Sequence, residues 1–277
     1  MKFTKMQGAG NDYVYINTFE EKITDPVKTA IAVSNRNFGI GADGLILIAP
    51  SAKADAQMIM YNADGSMAEM CGNGVRCVAK YVYDHGISRK TTLDIETGAG
   101  IKRIDLTVVD GKAVAARVNM GTPFLNAKDI PVNLTVSPVV RNSITVADKT
   151  FEFTAVGMGN PHCILFVDNV TAFPVEKYGP LIENHPLFPR RTNVEFVQII
   201  SRDEVRQRTW ERGSAETLAC GTGASAVCVA GVLCGVTNRK IKNHLTGGDL
   251  DLEWASDSSP VFKTGPAVEV FSGEIDI

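Results

Sequence analysis

The chain repeats itself, and that repeat constrains its fold more than any other feature. Under the shift that separates Cys71 from Cys220, 149 residues, "GAGN" (8–11) falls on "GMGN" (157–160). Gly8, Gly10, Asn11, Cys71, Gly72 and Gly74 then meet Gly157, Gly159, Asn160, Cys220, Gly221 and Gly223 without a gap. Cysteine is 6 of 277 residues, so a cysteine meeting a cysteine by accident is roughly a one-in-fifty event before the other matches are counted. Two homologous halves are implied, each running strand, Gly-x-Gly-Asn turn, strand, helix, strands, Cys-Gly-x-Gly, helix.

Local signals agree with that plan. β-branched and aromatic residues make strands of "DYVYIN", "LILIA", "AQMIMYN", "PHCILFV", "FEFTAV", "VEFVQII" and "EVRQRTWE". Asp25-Pro26 is a cap and first-turn signal for a helix to about Arg36. "ASAVCVAGVLCG" is apolar or small on every side and "VRCVAKYVY" is nearly so. Helices without a polar face must be enclosed by protein. The expected fold class is therefore α/β of the α+β type: two pseudo-symmetric domains, each a curved mixed sheet or barrel around a central apolar helix. "NMGTP" (119–123) interrupts the strand pattern. It divides an expected first domain, 1–118, from a second, 119–263, and the last strand, 264–277, is expected to return to the first.

Composition excludes several function classes. A net charge of −3 gives no electrostatic case for nucleic acid or an anionic membrane surface. No stretch reaches the ~18 consecutive apolar residues of a spanning helix. With no apolar signal region at the N-terminus, the expected location is cytoplasmic and the six cysteines are expected as thiols. They form no C-x-x-C pair, and the four histidines do not cluster with them, so no metal site is expected.

The chemistry sits at the two Cys-Gly-x-Gly helix starts. Unpaired N–H groups and the partial positive end of the helix suit a carboxylate there, and the same field is expected to lower a thiol's pKa. If the halves face each other, two thiols flank one ligand carbon. One thiolate then removes an α-proton while the opposite thiol delivers one to the other face, inverting the centre with no cofactor. Cys77, Cys163, Cys228 and Cys234 lie in apolar runs and read as packing residues.

The stretch "NADGSMAEMCGNGVR" (62–76) matches the signature of the diaminopimelate epimerases, and "KMQGAGNDYV", "GIGADGLI", "GNPHCILFV", "RTNVEFV" and "WERGSAETLACGTGA" extend the resemblance over the whole chain. It implies cofactor-free interconversion of LL- and meso-2,6-diaminopimelate, a small diamino dicarboxylic acid, in the route to lysine and peptidoglycan. By it, Cys71 and Cys220 are the acid/base thiols, and Gly72, Asn73, Gly74, Gly221 and Thr222 surround the reacting carboxylate. Asn11, Asn62, Asn160, Asn193, Glu211 and Arg212 match substrate-binding positions, Arg212 suiting a distal carboxylate. His162 and Glu211 are expected to support the thiols' protonation. A homodimer stays open as the assembly. A proline racemase or hydroxyproline epimerase uses the same paired-thiol logic but would leave Arg212 without a distal anion. A thiol redox switch is the alternative from another class.

Overall fold

The computed structural model describes residues 1–276, so the last position of the expected terminal strand, 277, lies outside the described residues. The chain divides into two compact units, residues 1–119 with the C-terminal segment from 264, and residues 120–263.

In the first unit, β1 (Lys2–Gly8) and β2 (Asn11–Asn17) form a hairpin. Its two-residue turn puts Ala9 at φ 54° and Gly10 at φ 81°, the doubly left-handed turn whose twist suits a hairpin. Helix α1 (Pro26–Ser34) starts as its sequence dictates, with Asp25 accepting from Lys28 N at 3.0 Å and Pro26 in the first turn. It stops before Arg36 because Asn35 turns extended and its Oδ1 takes the amides of Asn37 and Phe38. Next come β3 (Gly44–Ala49), β4 (Ala56–Asn62) and β5 (Met67–Ala68), then α2 (Gly74–Asp84), β6 (Thr92–Thr97), β7 (Gly100–Val109) and β8 (Lys112–Asn119). Every residue of β3 is buried, which is why "GLILIA" shows no alternation. Strands β1, β2, β4, β6, β7 and β8 all lie against α2, so this sheet wraps a central helix.

The helix at that centre corrects one expectation. Residues Gly74 to Ala79 of α2 are all buried, yet they include Arg76, fully enclosed and donating to Gly72 O, Asn73 Oδ1 and Pro266 O. Backbone carbonyls and an amide oxygen, rather than an apolar surface, let a guanidinium sit there.

The second unit repeats the plan with β9 (Asn142–Val146), β10 (Lys149–Gly157), β11 (Pro161–Phe166), α3 (Val175–Glu183), β12 (Asn193–Ser201), β13 (Glu204–Glu211), β14 (Ala215–Thr217), α4 (Gly221–Leu233), β15 (Lys240–Leu245) and β16 (Gly248–Glu253). Strands β10, β11, β12, β15 and β16 lie against α4. Strand β17 (Phe262–Pro266) crosses the unit boundary, and β18 (Val268–Glu274) pairs antiparallel with β1.

The duplication holds at the level of individual pairs. Parallel β2–β3 matches Val14 with Leu45, and parallel β11–β12 matches Cys163 with Val194, the same pair after the shift. Leu45 with Tyr61 likewise becomes Val194 with Trp210, and Met60 with Ala68 becomes Thr209 with Thr217. The Gly-x-Gly-Asn hairpin departs from this correspondence. Gly8 pairs with Asn11, but Gly157 pairs with Pro161, one residue later. Asn160 therefore stays in a three-residue turn closed by Met158 N donating to Asn160 O at 3.0 Å. Pro161, which stands where the first half has Asp12, has no N–H for a ladder.

Candidate active site

Each unit builds its own half-site, from a Gly-x-Gly-Asn turn and the first turn of its enclosed helix. In the first unit, Cys71 Sγ accepts from Gly74 N at 3.3 Å and donates to Asn11 Oδ1 at 3.1 Å. Asn11 is oriented in turn by Asp43, whose Oδ2 takes its Nδ2–H at 2.7 Å, and Asp43 Oδ1 accepts from Arg36 at 3.0 Å. Gly72 and Asn73 lead into α2, where helix-start amides have no partner within the helix. The Asn73 side chain points back to Arg76 at 2.9 Å, leaving its backbone as the part that can serve a ligand. Asn62 lies at the end of β4, half-buried, and its Nδ2 donates to Ser66 Oγ at 3.0 Å within the β4–β5 turn.

In the second unit Cys220 is the residue capping α4, its sulfur accepting from Gly223 N at 3.4 Å. Gly74 and Gly223 are equivalent under the repeat, so both thiols play one structural part. Thr222 Oγ1 lies 3.5 Å from the Cys220 sulfur and takes Asn160 Nδ2 at 3.4 Å. Asn160 Oδ1 faces His162 Nε2 at 2.9 Å, and His162 Nδ1 faces Glu195 Oε1 at 2.8 Å. His162 and Glu195 are both fully enclosed. Asn193 is committed to backbone: its Nδ2 donates to Pro161 O and its Oδ1 accepts from Arg212 N. It shapes the β12–β13 end and has little left to offer a ligand. Arg212 is exposed, with Nη1 donating to Arg190 O at 3.1 Å. Glu211 is half-buried and accepts from Thr217 Oγ1.

The electrostatics correct the expectation of a lowered thiol pKa at Cys220. Burial pushes this thiol well up, and the charges of Glu211 and Glu195 push it further; the Thr222 hydroxyl and Gly223 amide lower it by less. A helix end contributes about half a unit charge, too little against the enclosure of the site and the charge of Glu211. Cys220 therefore carries its proton at neutral pH. Of the thiols outside the half-sites, Cys77 is held up at about 11 and Cys228 at about 12, in both cases chiefly by burial, which leaves them chemically quiet.

Two contributors escaped sequence reasoning. Tyr13 is the counterpart of His162 under the repeat, and its phenol lies against Asn11 and Cys71; burial first, then the charge of Cys71, holds its pKa up and the phenol neutral. The repeat could have found it. Glu195 is the other; its signal is a lone charge inside an otherwise apolar strand core, "NVEFV". Among the described residues no group of His, Cys, Asp or Glu could hold a metal ion, and no helix is long and apolar enough to cross a membrane.

The family model described as diaminopimelate epimerase matches residues 3–125 and 154–270. A curated diaminopimelate epimerase of Agathobacter rectalis is 56% identical over the whole of both chains. Among solved structures, a Bacillus anthracis phenazine biosynthesis protein of the PhzF family aligns over 100% of this chain and 99% of its own, with a TM-score of 0.71 at 16% identity. A probable proline racemase from Agrobacterium radiobacter K84 aligns over 100% and 93%, with a TM-score of 0.68, also at 16% identity. At that identity the two structures share the fold alone, and that fold is the expected one.

Proposed function

The chain belongs to the diaminopimelate epimerase family, and from that premise we propose that it interconverts LL- and meso-2,6-diaminopimelate by proton transfer between Cys71 and Cys220. The reaction is an epimerisation in the route to lysine. The observation that supports the two-thiol mechanism is the equivalence of the half-sites: each unit sets a sulfur at its helix start on the amide of the matching glycine, Gly74 or Gly223.

One cysteine, as thiolate, takes the α-proton and becomes a thiol. The other, as thiol, gives its proton to the opposite face and becomes the thiolate, so the pair leaves each turnover with its protonation exchanged. Because burial first and then the charge of Glu211 hold the proton on Cys220, this residue waits as the acid. The α-carboxylate takes the developing negative charge, and the amides at the starts of α2 and α4, around Gly72, Asn73, Gly74, Gly221 and Thr222, are the groups that stabilise it. Arg212, exposed at the end of β13, suits the distal carboxylate by a two-pronged contact, and Asn11, Asn62, Asn160 and Glu211 offer oxygens to the ammonium groups. Asn193 acts by fixing the backbone of Arg212. Six free thiols suit a reducing compartment, and we place the reaction in the cytoplasm.

The test is proton NMR of LL-2,6-diaminopimelate in D2O with purified protein and no added cofactor. The expected outcome is meso isomer carrying deuterium at the α-carbon, with kcat reduced by about 10⁴-fold or more in Cys71→Ala and in Cys220→Ala. An active Cys71→Ala or Cys220→Ala variant would remove the two-thiol mechanism.

A further inference from the structure

The two half-sites differ most in what stands behind the thiol. Tyr13 of β2 becomes His162 of β11, and Ile46 of β3 becomes Glu195 of β12, where the backbone pair of Tyr15 with Ile46 is conserved under the shift as Ile164 with Glu195. The contact with the helix is conserved as well. A Cβ on Gly74 would lie 2.7 Å from Ile46 Cδ1, and one on Gly223 would lie 2.4 Å from Glu195 Oε1 and 3.2 Å from Cys220 Sγ. The Glu195 carboxyl and the Cys220 sulfur thus both pack on Gly223, with no room for a larger residue between them.

Donor and acceptor counting fixes the protons. Asn160 Oδ1 faces His162 Nε2, so Nε2 carries a hydrogen. The 2.8 Å contact between Nδ1 and Glu195 Oε1 then holds one proton: with none, two lone pairs oppose each other, and with two, the hydrogens collide. Whether that proton rests on nitrogen or oxygen, the pair has no net charge. The first half reaches the same neutrality with a phenol and an isoleucine.

We propose that Glu195 is a positioning residue of the Cys220 half-site: it shares one proton with His162, which fixes the imidazole as an Nε2–H donor to Asn160 and keeps the buried pair neutral beside the sulfur. An isoleucine there would leave the tautomer unspecified, and an unpaired carboxylate would set a second full negative charge beside Glu211. Glu195 Oε2, enclosed and without a hydrogen-bond partner among the described residues, fits a carboxyl that does not stand as a bare anion. The groups facing the pair are Cys163 on β11, Glu211 on β13, and Cys220 and Thr222 at the start of α4. Of these, Glu211 is the carboxylate whose charge reaches both Glu195 and Cys220. The kinetic consequences rest on the epimerase reading; the proton placement does not.

The experiment uses full-length protein labelled with 15N-histidine, with His162→Gln to assign the ring, in the unsubstituted form and in Glu195→Gln and Glu195→Ile. The expected spectrum of the unsubstituted protein has a far-downfield proton between Nδ1 and Oε1 and a hydrogen on Nε2. Glu195→Gln loses the downfield proton but keeps Nε2–H, because its amide donates to Nδ1. Glu195→Ile gives a mixture of tautomers. With diaminopimelate as substrate, Glu195→Ile loses kcat about 10- to 100-fold with KM changed less than about threefold, and Glu195→Gln recovers most of that loss. A bare Nε2 in the unsubstituted protein or in Glu195→Gln overturns the proposal, as does wild-type kcat in Glu195→Ile. Should Glu195→Ile not fold, Glu195→Gln alone decides through its Nε2 proton. A protein with the shared proton but no action on diaminopimelate would sink the proposed function and leave the proton assignment standing.

Discussion

Asp12 belongs to the charged cluster behind Asn11, sharing Arg36 with the Asp43 that orients the Asn11 side chain. It lies beside Asn11 and binds Arg36 at 2.8 Å and Lys5 at 2.8 Å. Burial works against its charge, but the hydrogen bonds and charges of Arg36 and Lys5 outweigh it, and the pKa falls below the ordinary carboxylate value. A carboxyl with a lower pKa folded than unfolded stabilises the protein above its unfolded pKa, about 3.9, and that contribution fades as pH drops through the lower folded value. Asp12→Asn is therefore expected to cost about 1 kcal/mol at pH 7, limited by the exposure of Arg36. Thermal melts of the two proteins should draw together below about pH 4. A constant difference across pH would show that the charge on Asp12 does not matter.

At the scale of elements, the two enclosed helices start on equivalent glycines that face unlike neighbours. Alanine at either position gains about 1 kcal/mol of helix propensity. At Gly74 the new Cβ meets the mobile end of Ile46, whereas at Gly223 it meets the Glu195 carboxyl, which has nowhere to go. Gly223→Ala should be less stable than Gly74→Ala by roughly 2 kcal/mol in chemical denaturation. Equal stabilities would mean that the carboxyl moves freely. The strands illustrate what sequence conveys at this scale. "EVRQRTWE" is β13 residue for residue, with Val205, Thr209 and Trp210 the β-branched and aromatic residues that favour a strand. Helix α1 ends at Ser34, short of the expected Arg36, because Asn35 caps the following turn with its own side chain.

Over the whole molecule, one architecture is shared with proteins of different names, among them the probable proline racemase and the phenazine biosynthesis protein. Shape therefore does not choose the substrate; under the proposed function that choice falls to the residues at the strand ends. Proline has one carboxylate and no distal ammonium, so under the proposed function it would give Arg212 and Glu211 no distal group to bind. We expect kcat/KM for proline to be roughly 10³-fold or more below that for diaminopimelate. Comparable turnover of proline, measured by loss of optical rotation, would mean that the end of β13 does not read the substrate.

The sequence by itself determined the duplication, the enclosed helices and the two Cys-Gly-x-Gly starts, because these are set by spacing and by side-chain polarity along the chain. The alignment of Asn11 with Asn160 was legible too, but the difference between their turns was not: a one-residue slip in pairing leaves no gap in the sequence. The protonation of Cys220 was also out of reach. A helix start argues for a thiolate, and only the tertiary structure brings Glu195 and Glu211 to the same enclosed sulfur. Charge effects depend on distance and on exclusion of water, and neither is written in the order of residues.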